Sequence, residues 1–167
     1  GDWSDITPGM RGGGNSTPLW GCAQIIIPYY LYKYWGDSRA VTDNFDLMSA
    51  WLDHEIARTD GYIITEGRGD WLPPVTNNSP RRMPVEHSST FILYEQCKMM
   101  SELCRDLNIG DSQKYDRLAQ SIRQAAIERF YNKFAHSYGY WGSDGVALEI
   151  GLYPQGEKEV LTDALCR

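Results

Sequence analysis

"VEHSSTFILYEQCKMMSELCRDLNIGDSQKYDRLAQSIRQAAIERF", residues 85–130, is the stretch that decides the fold. Its first half places Leu93, Cys97, Met100, Cys104 and Leu107 three and four apart, which puts them on one face of a helix. The pattern predicts a helix over about 86–108, ended by Gly110, since glycine accepts the left-handed backbone of a helix C-terminus. Asp111 then stands where a carboxylate takes up the free N–H groups of a new helix. A second stripe follows at Tyr115, Leu118, Ile122, Ala126 and Phe130. So short a turn between two amphipathic helices predicts a helical hairpin.

Upstream, "WGCAQIIIPYYLYKYW" (20–35) is apolar almost all round, the pattern of a helix buried on most sides. Pro28 should kink or break it. After the turn "GDSRAVTD", the segment "NFDLMSAWLDHEIAR" (44–58) carries Phe45, Met48, Leu52 and Ile56 on one stripe, with Thr42 or Asp43 as N-cap. A long loop, 59–84, contains "GRGDWLPP" and a short strand expected at Tyr62 to Thr65. Loops of that length inside compact domains are usually functional or disordered, and the aromatic and proline content speaks against disorder. Beyond residue 130, "VALEIGLY" and "EKEVLTDALCR" predict a fifth and a sixth helix.

The helices alternate, the odd ones more apolar and the even ones more charged. "GDW" occurs at 1 and at 69, "YWGSDG" begins at 140, and "WGDSRAV" at 35 is echoed by "IGDSQKY" at 109. Repeated helical hairpins signal a stacked or closed all-α array, with inner helices buried on two sides and outer helices on one. The tryptophan-bearing loops would then recur on one face, bringing Trp3, Trp71 and Trp141 around one site.

A net charge of −6 with no basic block argues against nucleic acid and anionic membranes as partners, and no segment is long and apolar enough to span a bilayer. Aromatics make up 13% of residues, including 6 Trp and 11 Tyr, a surplus suited to stacking on sugar faces or to an aromatic core. Cys97 and Cys104 are seven residues apart on one helix, about 10 Å of rise, too far for a disulfide. All four cysteines read as small buried apolar residues, and they leave the redox compartment open. No His, Asp or Glu group has metal-ligand spacing and "RGGGNSTP" is no phosphate loop, so neither a metal nor a cofactor is expected.

The pieces "TPLWGCAQIIIPYYLYKYWGDSRAV", "GDWLPP" and "VEHSSTFILYEQCKMMSELCRDLN", in that order, resemble the (α/α)6-barrel catalytic domain of α-L-rhamnosidases. These are glycoside hydrolases that cleave terminal L-rhamnose with inversion. The "WGDA" opening of an inner helix in that family corresponds to Trp20, Gly21, Cys22 and Ala23. Its "GDW" loop corresponds to Gly69, Asp70 and Trp71, its "AxFYYxxxxMAEIAxxLG" hairpin to Thr90–Gly110, and its "ALALGL" helix to Ala147–Leu152. The resemblance covers nearly the whole chain. It implies an all-α toroid of helical hairpins, of which residues 1–167 form about three from the middle of a six-hairpin barrel, the remainder belonging to a larger polypeptide.

The resemblance also places the general-acid glutamate upstream and the general-base glutamate downstream, so no catalytic residue is assigned within the chain. Cys22 replaces an expected aspartate. The chain would supply a substrate-facing wall. Trp20 and Trp71 would stack on the sugar, Asp70 would accept hydrogen bonds from its hydroxyls, and Trp141 would complete the substrate-binding set. Asp70 also suits a turn that binds local N–H groups. Glu86–His87 opens an inner helix, where a carboxylate suits the helix dipole. Glu66 is open to either reading, and His54 and His136 read as surface residues. Two other functions remain: a non-catalytic carbohydrate-binding helical repeat, and another (α/α)-barrel glycosidase or lyase acting on uronic-acid polysaccharides. The tripeptide "RGD" at 68–70 would imply a cell-surface ligand, but three residues are a weak signal.

Overall fold

The computed structural model describes residues 17–69 and 83–166. They form eight helices: α1 (Pro18–Gly21), α2 (Ala23–Trp35), α3 (Arg39–Thr42), α4 (Phe45–Ala57), α5 (Val85–Leu107), α6 (Ser112–Phe130), α7 (Trp141–Ile150) and α8 (Lys158–Leu165). No strand occurs among them, so the all-α class holds. α5 lies at the centre, packed against α1, α2, α4, α6 and α7, while α7 pairs with α8. The order is three hairpins, α2/α4, α5/α6 and α7/α8.

α5 is buried nearly all round, and its polar side chains inside are all bonded. Gln96 accepts from the indole Nε1 of Trp51 on α4 at 2.8 Å, and Ser101 donates to Ser112 O and to Asp116. The predicted stripe is inside: Leu93, Cys97, Met100 and Cys104 are buried and Leu107 packs against the cluster. α6 buries one face only, through Tyr115, Ala119, Ile122 and Ala126. Its N-cap is Asp111, whose side chain accepts from the N–H groups of Gln113 and Lys114. The left-handed C-cap of α5 is Asn108 rather than Gly110, with φ 53°. Asparagine tolerates that region because its short side chain bonds locally.

Several expectations need correction. α2 runs unbroken through Pro28, and the discontinuity falls at Cys22, between α1 and α2. A proline in a helix costs one backbone hydrogen bond and some strain, which need not end the helix when neighbours hold both sides. Only Ile25 of α2 is fully buried, and Tyr34 and Trp35 are 72% and 75% exposed. The rest of its apolar surface is left largely exposed among the described residues. The N-cap of α4 is Asn44, because Thr42 belongs to the short helix α3. Residues 62–65 are not a strand: Gly61 and Tyr62 both have positive φ and make a two-residue turn closed by paired Asp60 and Ile63. α7 starts at Trp141, five residues before the expected apolar run, because buried Asp144 accepts from Tyr138 N–H and the Ser137 hydroxyl and so holds the preceding turn. Of the cysteines, Cys97 and Cys104 are buried, but Cys166 is exposed.

Candidate functional site

The N-terminal halves of α5 and α7 open, beside α1, onto a cavity of about 430 Å³. Pockets of 300–1,000 Å³ are the ordinary size for small ligands. α1 contributes Leu19 and Trp20, and α5 contributes Ser88, Phe91, Ile92 and Glu95, which follow one another down a single helical face. α7 adds Gly142 and Val146, and the ends of the intervening segment add Gly69 and Met83. The lining is mostly apolar with a few polar groups, the composition that binds a flat or amphipathic molecule.

The segment before residue 70 is held against α5 by hydroxyls. Ser89 donates to Glu66 O at 3.0 Å, and Thr90 accepts from Ile64 N–H at 3.1 Å. Gly67 lies so close that a Cβ would come within 2.6 Å of Ser89 Oγ, and Gly69, at φ +66°, would bring one within 3.1 Å of Val85. These glycines let the chain carry Gly69 to the cavity wall. Asp70, Trp71 and Trp3 lie outside the described residues, so their positions relative to the cavity are not described. Trp20 lines the cavity, with the Arg68 guanidinium 5.7 Å from its ring centroid, a cation–π arrangement. Trp141 is the first residue of α7, beside Gly142, and is 47% exposed; it does not line the cavity itself. The recurring tryptophans are therefore not seen to converge: of the three, only Trp141 is described.

Sequence reasoning missed Glu95. It is the one carboxylate among the described residues lining the cavity. Burial holds its carboxyl above the usual carboxylate range; Lys98 draws it back and Glu149 adds to the rise. A signal was present: at 3.6 residues per turn, Ser88, Ile92 and Glu95 form a stripe opposite the core stripe of Leu93, Cys97 and Met100. Cys22 donates to Leu19 O, and burial pushes its thiol up to about 11, so it is an inert thiol rather than a nucleophile.

The other residues singled out have structural surroundings. His87 Nδ1 lies 2.9 Å from Ser143 Oγ, and its ring packs among Phe91, Phe130, Tyr138 and Tyr140. Burial lowers its pKa to about 4. Glu86 faces Arg129 at 3.7 Å. Glu66 turns its carboxylate to Arg58 at 3.1 Å. His54 is exposed, and His136, half exposed, bonds Glu157 at 2.6 Å.

The comparisons with known proteins agree with this architecture. A family model described as the bacterial alpha-L-rhamnosidase 6 hairpin glycosidase domain matches residues 1–167. An alpha-L-rhamnosidase of Streptomyces avermitilis is 25% identical over 171 residues, which cover 99% of this chain and 16% of that protein. The solved structure of a Streptomyces avermitilis alpha-L-rhamnosidase complexed with L-rhamnose superposes with a TM-score of 0.88 at 23% identity, covering 99% of this chain and 16% of that one. The alpha-L-rhamnosidase from Dictyoglumus thermophilum gives 0.87 at 22% identity, covering 99% and 19%. At these identities the solved structures show the fold alone, and the chain spans less than a fifth of each of these relatives.

Proposed function

This chain belongs to the bacterial alpha-L-rhamnosidase six-hairpin glycosidase domain family, and from that premise we propose that it is part of a hydrolase that removes terminal α-L-rhamnosyl residues with inversion. Its share of the work is a sugar-binding wall. The observation that carries this reading is the cavity at the helix N-termini, where the Trp20 plane and the Glu95 carboxylate sit in a mostly apolar lining. A deoxy sugar presents an apolar face to an aromatic plane and hydroxyls to polar groups, so such a lining suits it. The Streptomyces avermitilis relative complexed with L-rhamnose supports the same ligand class.

Inverting hydrolysis needs two carboxyl groups about 6.5–9.5 Å apart, one to protonate the leaving oxygen and one to activate water. The described cavity lining offers a single carboxylate, Glu95. That supports a catalytic pair lying outside this segment. Asp70 and Trp71, which directly follow Gly69 at the wall, belong to the proposal as hydroxyl acceptor and stacking plane, with Trp141 at the rim. The test is hydrolysis of an aryl α-L-rhamnoside by the natural polypeptide, followed by proton NMR from the first turnover. Initial release of the β anomer is expected. Initial release of the α anomer overturns inversion, and binding of L-rhamnose without hydrolysis makes the protein a carbohydrate-binding module.

A further inference from the structure

α5 brings one carboxylate to the cavity wall. On α5, Glu95 lies one turn beyond Phe91 and Ile92; on α7, Glu149 follows Gly142 and Val146 at the same helical spacing. Of them Glu95 is the one that lines the cavity. It is half-buried, and among the described residues its carboxylate has no hydrogen-bond donor or ion-pair partner at bonding distance. The nearby cation does not meet it: Lys98 donates to Ile150 O at 2.7 Å and lies 5.2 Å from the Tyr94 ring centroid. A partly desolvated carboxylate without donors is costly, and a ligand that brings donors relieves the cost.

Resting on the sugar-binding reading above, we propose that Glu95 is a specificity-determining residue of this pocket: its carboxylate accepts hydrogen bonds from the hydroxyls of a sugar whose apolar face lies on Trp20. The two residues divide recognition between them. Trp20 offers a plane that any sugar with an apolar face can use. Glu95 accepts only where a hydroxyl points at it, so it reads the pattern of hydroxyls. A site built around an acceptor rejects the analogue lacking the donor much more strongly than an apolar wall rejects an extra group.

The experiment is calorimetric titration of the natural polypeptide with L-rhamnose and with its singly deoxygenated analogues, in the wild type, Glu95→Gln and Trp20→Ala. Glu95→Gln is expected to weaken L-rhamnose about 10- to 100-fold, the range of a charge-assisted hydrogen bond. That loss should vanish for the one deoxy analogue that lacks the hydroxyl Glu95 bonds. Trp20→Ala should weaken all the sugars together. If Glu95→Gln fails to fold by circular dichroism, Glu95→Asp, which keeps the charge but shortens its reach, takes its place in the same cycle. Unchanged affinity in the Glu95 variant, or an equal loss for every analogue, overturns the inference. If Trp20→Ala loses affinity while the Glu95 variant does not, the sugar-binding reading stands and only the role of Glu95 falls. A wild type that binds no L-rhamnose overturns both.

Discussion

The imidazole Nδ1 of His87, at the start of α5, shares a hydrogen bond of 2.9 Å with the hydroxyl of Ser143, at the start of α7. This bond ties together the two helix ends that open onto the cavity. Ser143 is fully buried, and His87 is 5% exposed within an aromatic cage. The cage leaves no room for hydration of a charged ring, which is why its pKa falls from 6.5 to about 4. A histidine with a depressed folded-state pKa favours the fold when neutral. Its contribution is complete above the unfolded value of about 6.5 and is lost as pH falls toward 4. The NMR titration of His87 should show a midpoint near 4. His87→Phe keeps the packing but strands the Ser143 hydroxyl, at an expected cost of about 1–3 kcal/mol. The double variant with Ser143→Ala should recover part of it, since residues sharing a bond are coupled by roughly 0.5–3 kcal/mol. Additive losses would show that the bond contributes nothing.

Glu55 on α4 acts in the opposite direction. Its side chain is fully buried, one oxygen accepts from Arg58 at 2.9 Å, and the other has no partner among the described residues. Burial, only partly offset by Arg58, raises its pKa from 4.5 to about 7. A carboxyl raised in the fold favours folding while protonated. Its contribution is present below 4.5 and is lost as pH climbs through 7. Glu55→Gln keeps the acceptor for Arg58 and removes the buried charge. The variant should exceed the wild type by roughly 1–3 kcal/mol at pH 8 and approach it near pH 4.5. The two groups oppose each other between about 4.5 and 6.5, so the wild-type curve should be flatter there than that of Glu55→Gln. Denaturant titrations across pH measure this, and a pH-independent gap between the two proteins would rule the account out.

Much of this architecture was legible because one element dominates it. The α5 stripe from Leu93 to Leu107 and the Asp111 cap announce a hairpin through strictly local rules. Rules of that kind failed where burial depends on distant partners. The apolar circumference of α2 reads as a buried helix, yet burial needs something to pack against, and among the described residues Ile27, Tyr34 and Trp35 stay 56%, 72% and 75% exposed. The early start of α7 was hidden because "WGSDG" is poor in helix formers, while a buried carboxylate at Asp144 organises it from within. At the cavity, Trp20 stood out by residue type. Glu95 did not, because a glutamate on a long helix is usually solvated. Only the packing of α1, α5 and α7 shows that its face looks inward.

Gly67 tests how the wall is held. With φ at +148° and Ser89 Oγ 2.6 Å from the site of a Cβ, Gly67→Ala strains the backbone and must displace the Ser89 hydroxyl from its bond to Glu66 O or shift the 64–69 segment off α5. The expected loss is about 1–3 kcal/mol, with faster hydrogen exchange at Ile64 N–H, which now donates to Thr90. Ser89→Ala removes the atom in the way but also the bond to Glu66 O. Combined with Gly67→Ala it should cost less than the two single losses added together. Strict additivity would mean that the contact is not what fixes the loop.

Two tryptophans separate stability from recognition. Trp51 is 3% exposed and donates to the equally buried Gln96, joining α4 to α5 on the core side. Trp51→Phe leaves the Gln96 oxygen without its donor and should cost about 1–3 kcal/mol in unfolding free energy. Gln96→Leu added to it removes the orphan and should restore part of that loss. Neither change touches the cavity lining, so affinity for L-rhamnose should stay at the wild-type level wherever the protein is folded. Trp20→Ala should do the reverse. It removes a plane that lines the cavity, so affinity should fall about tenfold, as for a loss near 1.4 kcal/mol, while the helical signal and the melting transition stay close to wild type. Calorimetry and thermal denaturation on the same three proteins check both halves. A large fall in melting temperature for Trp20→Ala with unchanged affinity would move Trp20 from the binding surface to the core.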